Sequence, residues 1–540
     1  MTMAGRARAA VDVPTVLRAG DRVVFFGDSI TEQRMYTNYV ENYLVLRYPR
    51  LKLSFVNAGW AGDTTVGGLK RLDRDVLSVK PTVVVICYGM NDGGYGYAKP
   101  ADVAAKFRAN LLEIITRLKK RRVRVVLMTP GIVDDSVKNL KWLKDQTDYN
   151  AGGLRAIADE VLGIAKEQKL PVVDLHALMT ATLAAAGQAG VDMGPDGIHP
   201  DEGGSLIMAH ALLQALGVPP REDRIVLEAG TRRSFTVDLP ALPYCVDSKA
   251  RKMLPFLAFG GEFNRVTLAF RGLTGGAWYL RIGEAVTPVF SRDDLERGLE
   301  LGGMWGIEPL AQAARVAVVT TEKCNTYRQF WRAVGLPDTY IVDAPYDPKP
   351  HRMGLEFSGE VEAWRRTLVA PAPLRVELVP APVAGPLRPG AAITRWLAGQ
   401  GVDPESRPER TKDEKVALTA PSAALPADWR PVVLDCPDLS APLHFAYAHP
   451  APGLLSLLAT IESGAAQAML LRLEGAGDFA VYLNGASVAG VKEADTVHDV
   501  ALAFQAGRNR IMVETWNAQG AVRPFRVVVQ SLPSPASLVF

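Results

Sequence analysis

Between Arg22 and Leu216 the chain alternates short apolar, β-branched runs with longer helical stretches, and this constrains the fold more than any other feature. Strands are expected at Arg22–Phe26, Leu53–Asn57, Thr82–Cys87, Val123–Met128 and Val172–Leu175. Helices are expected at Tyr36–Tyr48, Val66–Leu77, Asp102–Lys120, Tyr149–Gln168 and Gly204–Leu216. Strands separated by helices join through right-handed crossovers into a parallel sheet covered on both faces. The run Gly217-Val218-Pro219-Pro220 closes this first domain, read as residues 1–218.

Polar clusters stand just past a strand or just before a helix at four places. They are Gly27-Asp28-Ser29-Ile30-Thr31-Glu32-Gln33, Asn57-Ala58-Gly59-Trp60-Ala61-Gly62-Asp63-Thr64, Tyr88-Gly89-Met90-Asn91-Asp92-Gly93-Gly94 and Asp196-Gly197-Ile198-His199-Pro200. In an open parallel sheet, loops at the carboxyl edge converge on a ligand. A serine at such a turn is a place for a nucleophile, although Gly-Asp-Ser also ends many strands as a plain helix cap. A serine hydroxyl needs a base within hydrogen-bond reach. Of the seven histidines, His199 and His498 have a carboxylate three residues earlier, and His498 lies far along the chain with no matching cluster. Asp196, at i−3 from His199, can fix the imidazole tautomer.

Taken together and in this order, the four clusters resemble the blocks of the SGNH (GDSL-type) hydrolases, over roughly Asp21 to Leu216. The resemblance implies a three-layer α/β/α, flavodoxin-like fold and ester hydrolysis. It maps the nucleophile onto Ser29 and the acid and base onto Asp196 and His199. It maps oxyanion donors onto the Gly62 backbone N–H and the Asn91 side-chain amide. Asp28, Asp63 and Asp92 are read as loop-ordering groups, and Trp60, Tyr95 and Tyr97 as lining of the substrate pocket. No Gly-x-Ser-x-Gly elbow, no His-Glu-x-x-His and no metal-binding carboxylate cluster occurs, so neither metal nor cofactor is expected.

Composition narrows the partners. A net charge of +3 gives no reason to expect nucleic acid, and no run reaches the roughly 20 apolar residues of a membrane span. Met1–Gly20 carries Arg6, Arg8 and Arg18 without a continuous apolar core, so no intact secretory signal is expected. Cys87, Cys245, Cys324 and Cys436 are scattered without CxxC spacing, with Cys87 read as a core residue.

At 540 residues, two or three domains are expected. Residues 219–383 read as an accessory α+β region that packs on the hydrolase, with strands at Ser234–Leu239, Val266–Phe270 and Trp278–Ile282. Its helices fall at Ser291–Gly298 and Pro309–Val334, where Tyr327 and Trp331 are expected in the core. The Pro- and Ala-rich segment Pro380–Pro389 reads as a linker and Asp403–Lys415 as a polar loop. Arg430–Leu532 reads as short strands, with Phe479–Leu483 entering an Asn484-Gly485 turn and a further strand at Gly507–Glu514. These last segments resemble the galactose-binding-like jelly rolls of glycan-active enzymes, giving a third domain over 384–540. That resemblance tilts the expected substrate toward an O-acetylated glycan. A lipid ester or acyl thioester, or a non-catalytic glycan-binding role, are the alternatives.

Overall fold

The computed structural model describes residues 15–134, 149–188, 196–247, 249–274, 277–283, 285–286, 290–303, 307–335 and 346–380, with Val137, Leu143 and Gly194. From the C-terminal third it describes 395–398, 430–433, 453–463, 467–475, 477–484, 486–494, 497–505, 507–517 and 525–531. The chain forms two compact units, each discontinuous in sequence. The first comprises Met1–Glu222, Ala241–Arg265 and Gln312–Pro371; the second comprises Asp223–Pro240, Val266–Ala311 and Ala372–Phe540. The stretch read as one accessory region is therefore divided between them.

The first unit is built on five parallel strands, β1 (Arg22–Gly27), β2 (Ser54–Gly59), β3 (Val83–Cys87), β4 (Arg124–Met128) and β5 (Val172–Val173), in the order β2-β1-β3-β4-β5. Each matches an expected strand. β5 is shorter than expected because a helix begins at Leu175. The helices are α1 (Ser29–Glu32), α2 (Met35–Arg47), α3 (Thr65–Arg71), α4 (Pro100–Lys120), α5 (Arg155–Gln168), α6 (Leu175–Gln188) and α7 (Glu202–Ala215). Two long helices from the distant segments complete the unit: α8 (Glu308–Arg328), from Gln312 onward, and α9 (Pro348–Leu368). On one face, Val24, Phe26, Val84, Ile86, Val125 and Leu127 are fully buried with Leu111, Ile114 and Leu118 of α4 and Ile157 and Val161 of α5. Each such side chain contributes about 1.5–3 kcal/mol by leaving water. Tyr327 and Trp331 join this core, as expected of them.

β2 is an edge strand, and an open edge exposes unpaired backbone groups. Here α8 and α9 cover it with charge. Glu362 accepts the Phe55 N–H at 3.1 Å and Lys323 lies 3.5 Å from the Phe55 carbonyl. Lys323 also pairs with Glu41 of α2 and, at 3.2 Å, with Glu362. Arg365 donates to Glu41 and to Thr320, both at 2.6 Å. All four charges are buried and sum to zero.

In the second unit, antiparallel pairing joins Ser234–Val237 to Leu374–Pro380, and that strand to Ala277–Ile282. The C-terminal strands pair antiparallel in two sheets. One runs Arg430–Val433, Arg395–Ala398, Gly453–Ser463, Gly507–Asn517, Gly477–Leu483, Ala486–Ala494; the other runs Val497–Phe504, Gln467–Gly475, Phe525–Ser531. Leu483 pairs with Ala486 across a turn in which Asn484 has φ +47°, the left-handed value such a two-residue hairpin needs. The Pro-rich segment from residue 381, the loop Asp403–Lys415 and Cys436 lie outside the described residues. Cys87, Cys245 and Cys324 are free thiols.

Candidate active site

The strand order places β1 between β2 and β3, where chain direction across the sheet reverses, and this crevice is where ligands bind in open α/β folds. Ser29 follows β1, Gly62 follows β2 and Asn91 follows β3. The turn after β1 is tight. A Cβ on Gly27 would meet the Cys87 carbonyl and the Thr31 hydroxyl, each at 2.3 Å, so a larger residue would push α1 away. Asp28 caps α1, accepting the Ile30 N–H at 3.1 Å, which leaves Ser29 half-buried at the first helical position.

His199 Nε2 stands 2.8 Å from Ser29 Oγ, and its Nδ1 stands 2.6 Å from Asp196 Oδ2. The other Asp196 oxygen accepts the backbone N–H groups of His199 (2.8 Å) and Ile198 (3.0 Å), closing a compact turn. That turn is tied to the end of the sheet by the Asp134 N–H, which donates to the Gly197 carbonyl at 2.7 Å. Partial burial pushes the Asp196 carboxyl up, but the bonds from the His199 ring, the His199 N–H and the Ile198 N–H outweigh it and hold the group below the usual range. The carboxylate so held beside the imidazole orients the ring.

Asn91 donates its amide to the Asp63 carbonyl at 2.8 Å, while its oxygen accepts from the Tyr95 hydroxyl. Asn91 is thereby fastened to the residue next to Gly62. Gly62 itself has φ +70°, a conformation that side chains rarely adopt, with open space where a Cβ would stand. The three aspartates order these loops, as expected. Asp63 accepts from Arg71 and Tyr88, both at 2.7 Å, and Asp92 accepts from the Thr65 N–H (2.9 Å) and hydroxyl (2.6 Å).

The pocket reading fails for Trp60. It is 1 % exposed, meets Trp331 edge-on at 6.3 Å, and has the Arg332 guanidinium 3.5 Å above its ring. It is a core residue because Trp331 and Arg332, just past the end of α8, cover it, neighbours that local sequence could not reveal. Tyr97 projects into solvent at 68 % exposure. Sequence reading also missed Glu32, whose carboxylate accepts the Ala61 N–H at 2.5 Å and the Arg328 Nε at 2.8 Å. Arg328 lies 296 positions away, so no local spacing signals the pair.

Asp28 faces an apolar cavity lined by Met90, Ile132, Met179, Ile198 and Met208. Burial there, reinforced by Asp92 and Asp63, pushes its carboxyl up to about 8. The folded state thus holds a proton that the unfolded chain releases near pH 4, and stability falls as pH rises from about 4 to about 8. Asp28→Asn keeps the capping oxygen without the ionisation. Its thermal midpoint relative to wild type should climb across that window and level off above it, read by thermal melts at pH 4.5, 6, 7.5 and 9; a difference independent of pH would refute the assignment.

Among the described residues, no group of three His, Cys, Asp or Glu side chains could hold a metal ion, and no helix is long and apolar enough to cross a membrane.

Residues 25–206 match the GDSL-like lipase/acylhydrolase family. An acetylxylan esterase of Geobacillus stearothermophilus is 26% identical over 219 residues, covering 37% of this chain and 95% of that protein. An acetylxylan esterase of Xylanibacter ruminicola is 30% identical over 159 residues, 26% of this chain and 30% of that protein. Among solved structures, a gut microbial diltiazem-metabolizing enzyme aligns with a TM-score of 0.57 at 19% identity, over 68% of this chain and 98% of that one. At that identity the likeness is one of fold, and it extends well beyond residues 25–206.

Proposed function

We propose, from the premise that this chain is an esterase-type hydrolase whose residues 25–206 form a GDSL-like lipase/acylhydrolase domain, that it works through an acyl-serine on Ser29. One observation carries the reading: the continuous hydrogen-bonded path Ser29–His199–Asp196 at the carboxyl end of β1. His199 Nε2 takes the Ser29 proton as Oγ attacks the ester carbonyl carbon. The oxyanion is held by the Gly62 N–H, the Ser29 N–H and the Asn91 amide, and each such donor supports on the order of 3–4 kcal/mol of transition-state stabilisation. Collapse breaks the bond to the alkoxide, which leaves as the alcohol with the proton from His199. Water then gives its proton to His199 and adds to the acyl carbon; Oγ departs, recovers that proton, and the carboxylic acid is released. Asp196 keeps the imidazole in register throughout.

The substrate is an O-acetylated glycan. Two acetylxylan esterases among its relatives support this, as do the paired C-terminal strands, read as a galactose-binding-like sandwich over 384–540. Hydrolysis of p-nitrophenyl acetate, butyrate and octanoate, with acetate release from acetylated xylo-oligosaccharides, tests it. Turnover should fall at least about tenfold from acetate to octanoate, since the binding energy of a short acyl pocket is lost on a long chain. Preference for octanoate would point to a lipid or thioester substrate, and binding of the oligosaccharides without turnover of any ester would leave a glycan-binding protein.

A further inference from the structure

We propose that Glu32 is a positioning residue of the reaction, and that helix α8 belongs to the catalytic machinery through it. This rests on the serine-esterase reading above. Glu32 closes α1, one turn after Ser29, and its carboxylate is almost wholly buried. One oxygen accepts the Ala61 N–H at 2.5 Å, the residue before Gly62. The other accepts Arg328 Nε at 2.8 Å and Nη2 at 2.5 Å, with Arg332 Nη1 at 3.6 Å. Arg34, the next residue but one, donates through Nε to Asn325 of α8 at 3.2 Å and through Nη1 to the Glu32 carbonyl at 2.6 Å.

The backbone is arranged to permit this. A Cβ on Gly59 would lie 2.2 Å from the Glu32 nitrogen, so the end of β2 presses directly on α1. Asn57 adds a second tie, donating to the Thr31 carbonyl at 2.7 Å and accepting the Gly59 N–H at 3.0 Å. The nucleophile's helix and the Gly62 loop are thereby locked to each other through one carboxylate. Two guanidiniums from a segment some 300 residues away set the direction of that carboxylate. Charge-assisted bonds of this kind are short and directional, and a displacement near 1 Å in a reacting constellation costs roughly 10²-fold in rate. Glu32 touches no reacting atom; it acts on where the Gly62 N–H stands relative to Ser29 Oγ.

The experiment is steady-state kinetics of full-length variants on p-nitrophenyl acetate, with active sites counted by a serine-directed fluorophosphonate. Wild-type turnover that vanishes in Ser29→Ala first secures the serine-esterase reading. Glu32→Ala should then lower kcat per titrated site about 100-fold, and Arg328→Ala about tenfold, each with KM within about threefold. Arg328→Lys, which keeps the charge but not the fork, should recover part of the loss. A purely structural role would lower the number of titrated sites and leave turnover per site unchanged. That result in Glu32→Ala and Arg328→Ala, with wild-type activity still dependent on Ser29, overturns the proposal. Glu32→Gln provides the milder substitution if Glu32→Ala does not fold.

Discussion

Ser29→Ala is expected to reduce p-nitrophenyl acetate hydrolysis by about 10⁴–10⁶-fold while leaving the thermal midpoint within a few degrees of wild type. The hydroxyl is half-exposed at the edge of the sheet and its polar contact is with His199, so little packing is lost. His199→Ala should match that loss, and the double variant should be no worse than either single one, because an activated nucleophile and its base act as one unit. Asp196→Ala should cost less, since the ring is also placed by the turn that Asp134 ties down. Comparable kcat in wild type and Ser29→Ala, measured on protein free of contaminating esterase, would end the acyl-serine assignment.

The largest effect on stability is expected at Glu41. Its carboxylate is wholly buried; burial pushes it up, but Lys323 and Arg365 outweigh burial and hold it below the usual range. Glu41→Ala leaves two buried cations facing the single carboxylate of Glu362, and such a mismatch costs about 3–5 kcal/mol. That is a large share of the 5–15 kcal/mol of a typical domain. Adding Lys323→Met restores neutrality, so the double variant should be more stable than the sum of the single losses predicts. Denaturant unfolding of the four proteins in a double-mutant cycle measures the coupling. Strict additivity would show that the charges do not compensate one another.

The sheet was legible in the amino-acid sequence because its strands are short apolar runs, rich in valine in β3 and β4, set between longer helical stretches. So was the meeting of Ser29, Asp196 and His199, because the partners of each lie in short, distinctive clusters. What escaped has a common cause. Helix α6, Leu-His-Ala-Leu-Met-Thr-Ala-Thr-Leu-Ala-Ala-Ala-Gly-Gln, is apolar around most of its circumference and shows no stripe. Helix α9 buries Gly354, Ser358, Glu362 and Arg365, so the face it turns inward is not the one its apolar residues mark. Its start does carry a signal, Asp347 before Pro348, and the Asp347 side chain accepts the Lys349 N–H. Trp60 was misread for the same reason that Glu32 was overlooked: their partners, Trp331 and Arg328, belong to a segment whose proximity only the tertiary fold creates.

The interleaving of the two units also has a consequence for synthesis. The hydrolase sheet is complete in the chain by residue 173, yet the helices that cover β2 and neutralise Glu41 end only near Pro371. At about 5–20 residues per second, translation needs roughly 10–40 s to span that interval. Throughout it the emerging polypeptide carries a sheet whose outer margin lacks Lys323 and Glu362, poised to recruit a strand from another nascent chain. Ribosome pausing or slow codons between these points would lengthen that exposure, whereas prompt delivery of residues 312–371 would end it.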